Sequence, residues 1–334
     1  MLDIEQSDAL LAYLHARGYI TPEQTPVLHN LAGGVSNRTV LVEHADGTAW
    51  VMKQALEKLR VKVDWFSSPA RIHREAAGLR WMQSAVPDDA PPLIFEDQDQ
   101  HLLAMMAVPQ PHTNWKTQLL QGAVEQRYVE QFGWLLGTIQ RLALEIPETQ
   151  TLFADRSFFE TLRVEPYYSY SAAQVPTAAG FINSLIEATR MRSLTLVHGD
   201  YSPKNVLIYD SRLILLDYEV IHWGDPAFDV GFSLTHFLSK AHALAAHRAQ
   251  FIAAAQIYWQ SYWQQVKNLP FAADLEAFAV RHTLACLLAR VAGRSPLEYL
   301  DAAQRAHQQA VVLQLMAALP TSVDELVDGY NRAL

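Results

Sequence analysis

Three polar residues lie at fixed intervals in the second half of the chain, each beside a short apolar run. Asp200 is followed five residues later by Asn205 and seventeen residues later by Asp217. The apolar runs are typical of small buried strands, so the polar side chains fall at strand ends, where loops hold reactive groups on a rigid base. Phosphoryl transfer needs a carboxylate that orients a hydroxyl, and an amide oxygen and a second carboxylate that hold a metal ion. We therefore predict that Asp200 is catalytic and that Asn205 and Asp217 bind Mg²⁺, a hard cation that prefers oxygen ligands.

These residues belong to three sequence blocks that follow one another within about 32 residues. Each block alone is common in loops, but their order and spacing together are specific. The blocks resemble those of the aminoglycoside phosphotransferase and choline kinase-like family, which are small-molecule kinases related to the protein kinases. The blocks are His198-Gly199-Asp200 with Asn205, then Asp217-Tyr218-Glu219, then Trp223-Gly224-Asp225-Pro226-Ala227-Phe228-Asp229.

The resemblance, which runs from about Gly33 to Asp229, implies an α+β, bilobal protein-kinase-like fold. Its N-lobe would be a small antiparallel sheet with one main helix, and its C-lobe would be larger and mostly helical. The expected domains are a nucleotide-binding N-lobe at 1–107, a hinge at 108–112, and a C-lobe at 113–334 with the catalytic loop, metal site and substrate helices. The implied cofactors are ATP and Mg²⁺, and the implied substrate is a small-molecule hydroxyl on a sugar, an amino alcohol or an aminoglycoside-like compound.

A glycine-containing loop between the first two predicted strands is the candidate phosphate loop. Glycine lets backbone N–H groups approach a phosphate, and neighbouring polar side chains can add donors. We predict that Gly34, Ser36 and Asn37 contact the nucleotide there. The loop lacks the G-x-G-x-x-G pattern of protein kinases and resembles the shorter loop of the small-molecule kinases.

The resemblance also implies a lysine–glutamate pair and an adenine site. Lys53 ends a predicted strand at 50–53 and would contact the nucleotide phosphates, while Glu75, inside a predicted helix, would pair with it and fix it. Lys58 and Lys62 are alternatives to Lys53 on sequence proximity. The adenine site would be lined at 105–108, with backbone groups meeting the base edge; Met106 and Val108 are its candidate residues.

Other polar residues are interpreted as supports. His198 is expected to brace the catalytic loop, Asp229 to anchor it, and Asp225 to cap a helix ahead of Pro226. Glu219 would lie on the same side as Asp217, near the metal or the substrate. Arginines of the C-terminal helices that faced a cleft would suit an anionic or carbohydrate substrate; the polar residues to watch there are Arg281, His282, Arg290 and Arg294.

Apolar periodicity predicts the elements that must position these groups. Asp46-Gly47 between two strand-like runs predicts a hairpin, and two prolines bracket the hinge. In the N-lobe we predict helices at 7–17 and 69–84, and strands at 27–32, 38–44, 48–53, 93–95 and 101–106. In the C-lobe we predict long helices at 124–144, 243–266, 272–292 and 296–318.

Composition limits the class of protein. The chain has 334 residues, more than one core usually holds, with 50% hydrophobic and 18% charged residues, which favours a well-packed soluble enzyme over disorder. A net charge of −9 makes nucleic acid an unexpected partner. The lone cysteine, Cys286, is expected in the core. With no signal-peptide pattern and no membrane-length apolar run, a cytoplasmic location without a membrane partner is the expectation. The oligomeric state stays open.

Two other functions remain open on the sequence alone. A metal-dependent hydrolase could draw its ligands from His198, Asp200, Asp217, His222 and Asp225, but it would leave the predicted lysine–glutamate pair and the small lobe unexplained. A non-catalytic nucleotide-binding protein of kinase fold would typically have lost a catalytic aspartate or lysine, and this chain has kept both.

Overall fold

The computed structural model describes residues 2–31, 34–60 and 64–334. Gly33 of the predicted phosphate loop, the end of the strand predicted at 27–32, and the alternative Lys62 lie outside these residues. The chain divides into two compact units. The first contains Met1–His112 and Ile214–Glu219, and the second contains Thr113–Leu213 and Val220–Leu334.

The first unit is built on an antiparallel sheet that has the strand order β1-β2-β3-β5-β4 over its described residues. The hairpin predicted at Asp46-Gly47 is confirmed: Gly47 has φ +85°, and β2 pairs with β3 in antiparallel register. The strands are β1 Val27–Asn30, β2 Asn37–Glu43, β3 Ala49–Ala55, β4 Leu93–Asp97 and β5 Leu102–Met106. The helices are α1 Ser7–Ala16 and α2 Arg71–Ala85.

Helix α1 closes one part of this unit's core. Its apolar side chains Leu10 and Leu14 are fully buried in the same cluster as Val40, Val42 and Met52 of the sheet. Removing such side chains from water is the main favourable term in folding. Strand β3 extends two residues beyond its predicted end, so Lys53 lies inside the strand rather than at its end.

The second unit is mostly helical, with two small sheets. Strand β7 pairs with β10, and the other sheet has the order β6-β8-β9. The strands are β6 Thr113–Asn114, β7 Thr195–Val197, β8 Val206–Tyr209, β9 Arg212–Leu215 and β10 His222–Gly224. The helices are α3 Trp115–Leu120, α4 Gln126–Glu145, α5 Glu148–Leu152, α6 Ser157–Phe159 continuing as a π-helix over Glu160–Ser169, α7 Tyr170–Gln174, α8 Ala179–Met191, α9 Ala227–Ala243, α10 Arg248–Val266, α11 Ala272–Ala292, α12 Ala302–Ala317 and α13 Val323–Ala333.

Several of these helices differ from the prediction, which gave no helix at 115–120, 148–174, 179–191 or 323–333 and began α10 at 243 rather than at Arg248. For α9, the cap predicted at Asp225 gave a helix start beside Pro226 but no extent; the helix is buried at all but its last residue. Helix α12 begins at Ala302, later than predicted, because Asp301 and Gln304 form a capping box at that point. Within the described part of the chain, no helix is both long and apolar enough to cross a membrane.

Candidate active site

A tight turn after strand β7 carries the predicted catalytic aspartate. Gly199 has φ +78°, a conformation that glycine adopts at little cost. The N–H groups of His198 and Gly199 donate to the carboxylate of Asp229 at 2.6 and 2.8 Å. Asp229 stands in the first turn of α9 and is fully buried. The expected anchoring of the loop by Asp229 is therefore confirmed.

Asp200 itself is held by two side chains of the same unit. The amide Nδ2 of Asn205 donates to Asp200 Oδ2 at 2.8 Å, and Nη2 of Arg163 lies 3.0 Å from the same oxygen. Arg163 also donates from Nε to the Gly199 carbonyl at 2.6 Å. Both side-chain contacts are to Oδ2, so the other carboxylate oxygen, Oδ1, has no partner among the described residues and can accept a hydrogen bond.

Asn205 ends a short 3₁₀ turn, Pro203–Asn205. Its amide nitrogen donates to both the Asp200 carbonyl, at 3.0 Å, and the Asp200 carboxylate. With the nitrogen committed to Asp200, the amide oxygen is the atom left to bind a cation. This arrangement fits the predicted role of Asn205 as a ligand of a hard metal ion.

In the first unit, Lys53 lies between two carboxylates. Its Nζ is 2.5 Å from Glu75 Oε1 and 3.1 Å from Asp217 Oδ1. Burial acts to lower the pKa of Lys53, but the carboxylates of Asp217 and Glu75 outweigh it and raise that pKa. Burial raises the pKa of Glu75 to about 7 despite the lysine beside it. The structure thus pairs Lys53 with Glu75, as expected from the sequence, and adds a contact between Lys53 and Asp217 that was not predicted.

Arg71 is a supporting residue that sequence reasoning missed. It is fully buried and donates from Nε to Glu219 Oε2 at 3.1 Å. Its guanidinium also donates to the backbone carbonyls of Ser36 and Leu56. Glu219 therefore holds Arg71, which in turn holds the backbone of the candidate phosphate loop. The only signal in the sequence was the four-residue spacing between Arg71 and Glu75 on one helix face.

Of the phosphate-loop residues, Ser36 and Asn37 are buried and Gly34 is exposed. The Asn37 amide nitrogen lies 3.3 Å from Ser36 Oγ and 3.5 Å from Glu219 Oε2, so this donor already has acceptors in the protein. A Cβ on Gly34 would meet the Asn37 carbonyl at 3.4 Å, an ordinary contact. The protein alone does not require glycine there.

The predicted adenine site has one uncommitted backbone donor. The N–H groups of Met106 and Ala107 donate to Pro92 and Ala49 carbonyls at 2.8 and 2.9 Å. The N–H of Val108 has no acceptor among the described residues. Its carbonyl lies 3.0 Å from Nδ1 of His112. Val108 thus offers a donor of the kind that a base edge needs.

The residues of the hydrolase alternative are engaged elsewhere. Asp225 accepts from Arg192 Nε at 2.9 Å and from the Ala227 N–H at 3.1 Å. It is not the N-cap that was predicted, because α9 begins at Ala227 with Pro226 at the cap position and no side-chain cap. His222 Nδ1 lies 2.9 Å from the Val220 carbonyl. Within the residues that the structure describes, no three His, Cys, Asp or Glu side chains gather into a metal site.

The polar residues of α11 and beyond have different surroundings. His282 lies 2.6 Å from Tyr168 Oη, and Arg281 donates to Ser184 at 2.9 Å. Arg294 pairs with Glu165 at 2.8 Å. Arg290 reaches Tyr167 and Ser295. Cys286 is buried, as expected, and burial raises the pKa of its thiol to about 12.

Comparison with known proteins gives one family and several structural neighbours. A family model described as a phosphotransferase enzyme family matches residues 27–269. A search of curated proteins finds no match to this sequence.

The solved structures that resemble the chain are distant in sequence. A choline/ethanolamine kinase family protein from Mesorhizobium loti is 14% identical, covers 99% of this chain and 100% of its own, and has a TM-score of 0.58. Macrolide 2′-phosphotransferase from Brachybacterium faecium is 18% identical. The match covers 91% of this chain and 97% of the macrolide enzyme, with a TM-score of 0.51. An amicoumacin kinase in complex with AMP-PNP and Ca²⁺ is 15% identical. The match covers 95% of this chain and 97% of the amicoumacin kinase, with a TM-score of 0.52. These likenesses show the predicted α+β, protein-kinase-like fold.

Proposed function

The chain belongs to the phosphotransferase enzyme family, and from that premise we propose that it transfers the terminal phosphoryl group of ATP, with Mg²⁺, to a hydroxyl of a small molecule. The observation that carries the proposal is Lys53, held between the buried Glu75 and Asp217. A kinase requires a positioned lysine for the nucleotide phosphates, whereas a hydrolase has no use for this pair. The amicoumacin kinase of similar fold was solved with an ATP analogue and a divalent cation.

On the nucleotide side, we assign the first unit to ATP. Gly34, Ser36 and Asn37 would supply the phosphate loop, and Lys53 would neutralise phosphate charge. Met106 and Val108 would meet the base edge through their backbone, with the Val108 N–H as the donor. Arg71 acts indirectly, because it fixes the carbonyl of Ser36.

On the transfer side, Asp200 would accept a hydrogen bond from the acceptor hydroxyl and take its proton late in the reaction. Arg163 and Asn205 hold Oδ2 of Asp200, which fixes the carboxylate and leaves Oδ1 for the hydroxyl. Asn205 and Asp217 are the proposed ligands of Mg²⁺. When bound, that cation would neutralise charge on the phosphates.

Two substitutions test this division of roles. Asp200→Asn keeps the shape of the side chain but removes the base, so kcat should fall about 10²–10⁴-fold while Mg·ATP affinity stays near that of the parent. Asp217→Asn removes a metal-binding charge, so nucleotide affinity should fall and half-maximal Mg²⁺ should move to a higher concentration. Titration calorimetry of Mg·ATP into both variants measures the difference.

The hydrolase alternative makes a different forecast, because both aspartates would then bind one catalytic metal. Equal loss of Mg²⁺-dependent nucleotide binding in the two variants would show that the assignment of Asp200 is wrong. A coupled assay of ADP release against sugars, amino alcohols and aminoglycosides then identifies the class of acceptor.

A further inference from the structure

The second unit contains a buried cation that has no counterion. Lys240, on α9, is fully buried. Its Nζ donates to the His236 carbonyl at 3.3 Å and lies 5.4 Å from the centre of the Tyr299 ring. Among the described residues, no carboxylate lies within ion-pair distance of it. Burying an unpaired ammonium group is costly, and this cost lowers the pKa of Lys240. An anion bound beside the ammonium group would reduce the cost.

A second cation in the same unit also lacks a carboxylate. Arg290, on α11, donates from Nη1 to Tyr167 Oη at 2.9 Å and to the Ser295 carbonyl at 2.8 Å. Its Nε is buried without a partner. Within the described chain, all acceptors of this guanidinium are therefore neutral, although charged hydrogen bonds to carboxylate or phosphate are the stronger kind.

Two polar atoms beside these cations are also unsatisfied. His236 Nε2 and Tyr299 Oη are buried and have no hydrogen-bond partner among the described residues. Native structures leave few such atoms, and a group of them calls for a ligand or an ion. We call Lys240, Arg290, His236 and Tyr299 the basic cluster.

The basic cluster is connected to the candidate catalytic residue through one pair of aromatic rings. The guanidinium of Arg290 lies 5.5 Å from the Tyr167 ring centre and 6.0 Å from that of Phe232. Arg163, which holds Asp200, lies 5.7 and 6.0 Å from the same two rings. Arg163 and Arg290 therefore contact the same two rings, which places the basic cluster near the side chains that hold Asp200.

The charges around the cluster favour an anion. Burial and the neighbouring cations Lys116 and Arg290 lower the pKa of Lys240 to about 7, with Glu298 as the one nearby group that raises it. Glu298 is already paired with Lys116. Burial and the cations Lys240, Arg290, Lys116 and Lys204 likewise lower the pKa of His236. A cationic ligand would be repelled here, whereas an anionic one would supply the missing counterion.

We propose that the acceptor carries an anionic oxygen group, a carboxylate or a phosphate ester, and that Arg290 and Lys240 bind it while Asp200 engages its hydroxyl. This inference rests on the proposed transfer to a hydroxyl and narrows its substrate class. It separates this chain from kinases that act on cationic acceptors such as choline or aminoglycosides.

The test is a coupled ADP-release assay with acceptors grouped by charge. The anionic acceptors are sugar acids and sugar phosphates. The neutral acceptors are sugars and the amides of the sugar acids, and the cationic acceptors are amino alcohols and aminoglycosides. We expect turnover with an anionic acceptor and a loss of about 10- to 100-fold in kcat/KM when the anion is replaced by a neutral group, the range for a charge-assisted contact. Turnover of sugar acids would identify the anionic group as a carboxylate, and turnover of sugar phosphates would identify it as a phosphate ester.

Substitutions in the basic cluster test whether it binds the anionic group of the acceptor. Arg290→Met and Lys240→Met should each raise KM for the anionic acceptor about 10-fold or more and have little effect with its neutral analogue. Arg281→Met, on the same helix but hydrogen-bonded to Ser184, is the matched control. Equal effects of Arg290→Met on charged and neutral acceptors would overturn the inference.

The remaining outcomes separate this inference from the proposed function. Phosphorylation of only neutral or cationic acceptors would leave the kinase assignment standing and overturn the anionic class. If Mg·ATP binds but no acceptor is phosphorylated, the anion site is tested by measuring whether inorganic phosphate or gluconate raises the melting temperature. Stabilisation that Arg290→Met abolishes supports the basic cluster as an anion site, and its absence overturns it.

Discussion

The surroundings of Lys53 in the structure differ from those that the sequence predicts. The sequence puts Lys53 at the end of a predicted strand, where a substitution would disturb the fold little. In the structure it lies inside β3 and pairs with Glu75, which is fully buried. Removing one partner of a buried ion pair leaves an uncompensated charge, at a cost of about 3–5 kcal/mol.

We therefore expect Lys53→Met to lower both ATP use and the free energy of unfolding. The double variant Lys53→Met/Glu75→Gln should recover most of the stability but not the activity, because Gln removes the buried charge without restoring the cation. Urea unfolding and the ADP-release assay measure the two effects.

Lys58→Met provides the control for this prediction. Lys58 is 57% exposed, and its ion pair among the described residues is with the exposed Asp64, so its loss should change neither property by much. Full activity in Lys53→Met together with a loss in Lys58→Met would reverse the assignment.

Lys240 gives a prediction about pH. Its pKa falls from an ordinary 10.5 to about 7 in the folded chain, so between these values the unfolded state holds a proton that the folded state has released. Stability then rises with pH across this window. The advantage in unfolding free energy of Lys240→Met over the parent should be largest near pH 7 and shrink towards pH 9.5.

Denaturant unfolding of both proteins at several pH values checks this difference. The groups that face Lys240 are His236, Lys116, Arg290, Glu298 and Tyr299. Because Lys240 itself lowers the pKa of His236, the comparison rests on the change above about pH 8, where histidine is neutral in both proteins. A constant gap between the two proteins would show that Lys240 does not titrate in this range.

The residues that sequence reasoning found and those it missed differ in a physical way. Asp200, Asn205 and Asp217 could be found because the chemistry fixes both their types and their spacing. Arg163 and Arg71 act through partners 37 and 148 positions away, and no local pattern encodes such a distance. Lys240 is one of several polar residues in α9, with Asp229, Ser233 and His236 among them, and no local pattern marks it as buried.

At the scale of elements, the turn between β7 and the 3₁₀ segment Pro203–Asn205 depends on Gly199. A Cβ at this residue would lie 2.8 Å from Val220 Cγ1 and 3.0 Å from the Val220 carbonyl, at φ +78°. Gly199→Ala should therefore cost about 1–3 kcal/mol in stability and lower kcat, while Mg·ATP affinity is retained because the nucleotide residues are elsewhere.

Gly180→Ala is the matched control, since it lies in α8 with no atom within 4 Å of its added Cβ. There the substitution should stabilise the protein by about 0.5–1 kcal/mol, because alanine is the better helix former. Thermal unfolding of both variants and steady-state kinetics give the comparison. If Gly199→Ala behaved like Gly180→Ala, the turn would not need its left-handed geometry.

A strong turn signal and long apolar repeats could be predicted from the sequence, whereas α8 and α13 were not. The hairpin at Asp46-Gly47 and the amphipathic helix α4 lie close to their predicted positions. The extent of α9 was missed because its polar side chains at 229, 233, 236 and 240 are buried within the unit rather than exposed, so they do not mark a solvent-facing side of the helix.

At the scale of the whole molecule, the nucleotide should stabilise the native state. A ligand that binds only the folded chain raises the free energy of unfolding by about 2.7 kcal/mol at a hundred times its Kd. We expect Mg·ATP to raise the melting temperature of the parent and of Asp200→Asn, and to raise that of Asp217→Asn less. The absence of any shift with ATP or GTP at millimolar concentration would contradict the proposed function.

The segment Ile214–Glu219 has a consequence for how the protein is made. It belongs to the first unit, where the Leu215 N–H donates to the Asp89 carbonyl at 2.7 Å and Glu219 pairs with Arg71. A ribosome that builds the chain from its N-terminus delivers the buried Arg71 long before Glu219, the carboxylate that pairs with it. A nascent chain released at residue 112 would carry Arg71 without its anion, so the first unit completes its folding only after residue 219 has been translated.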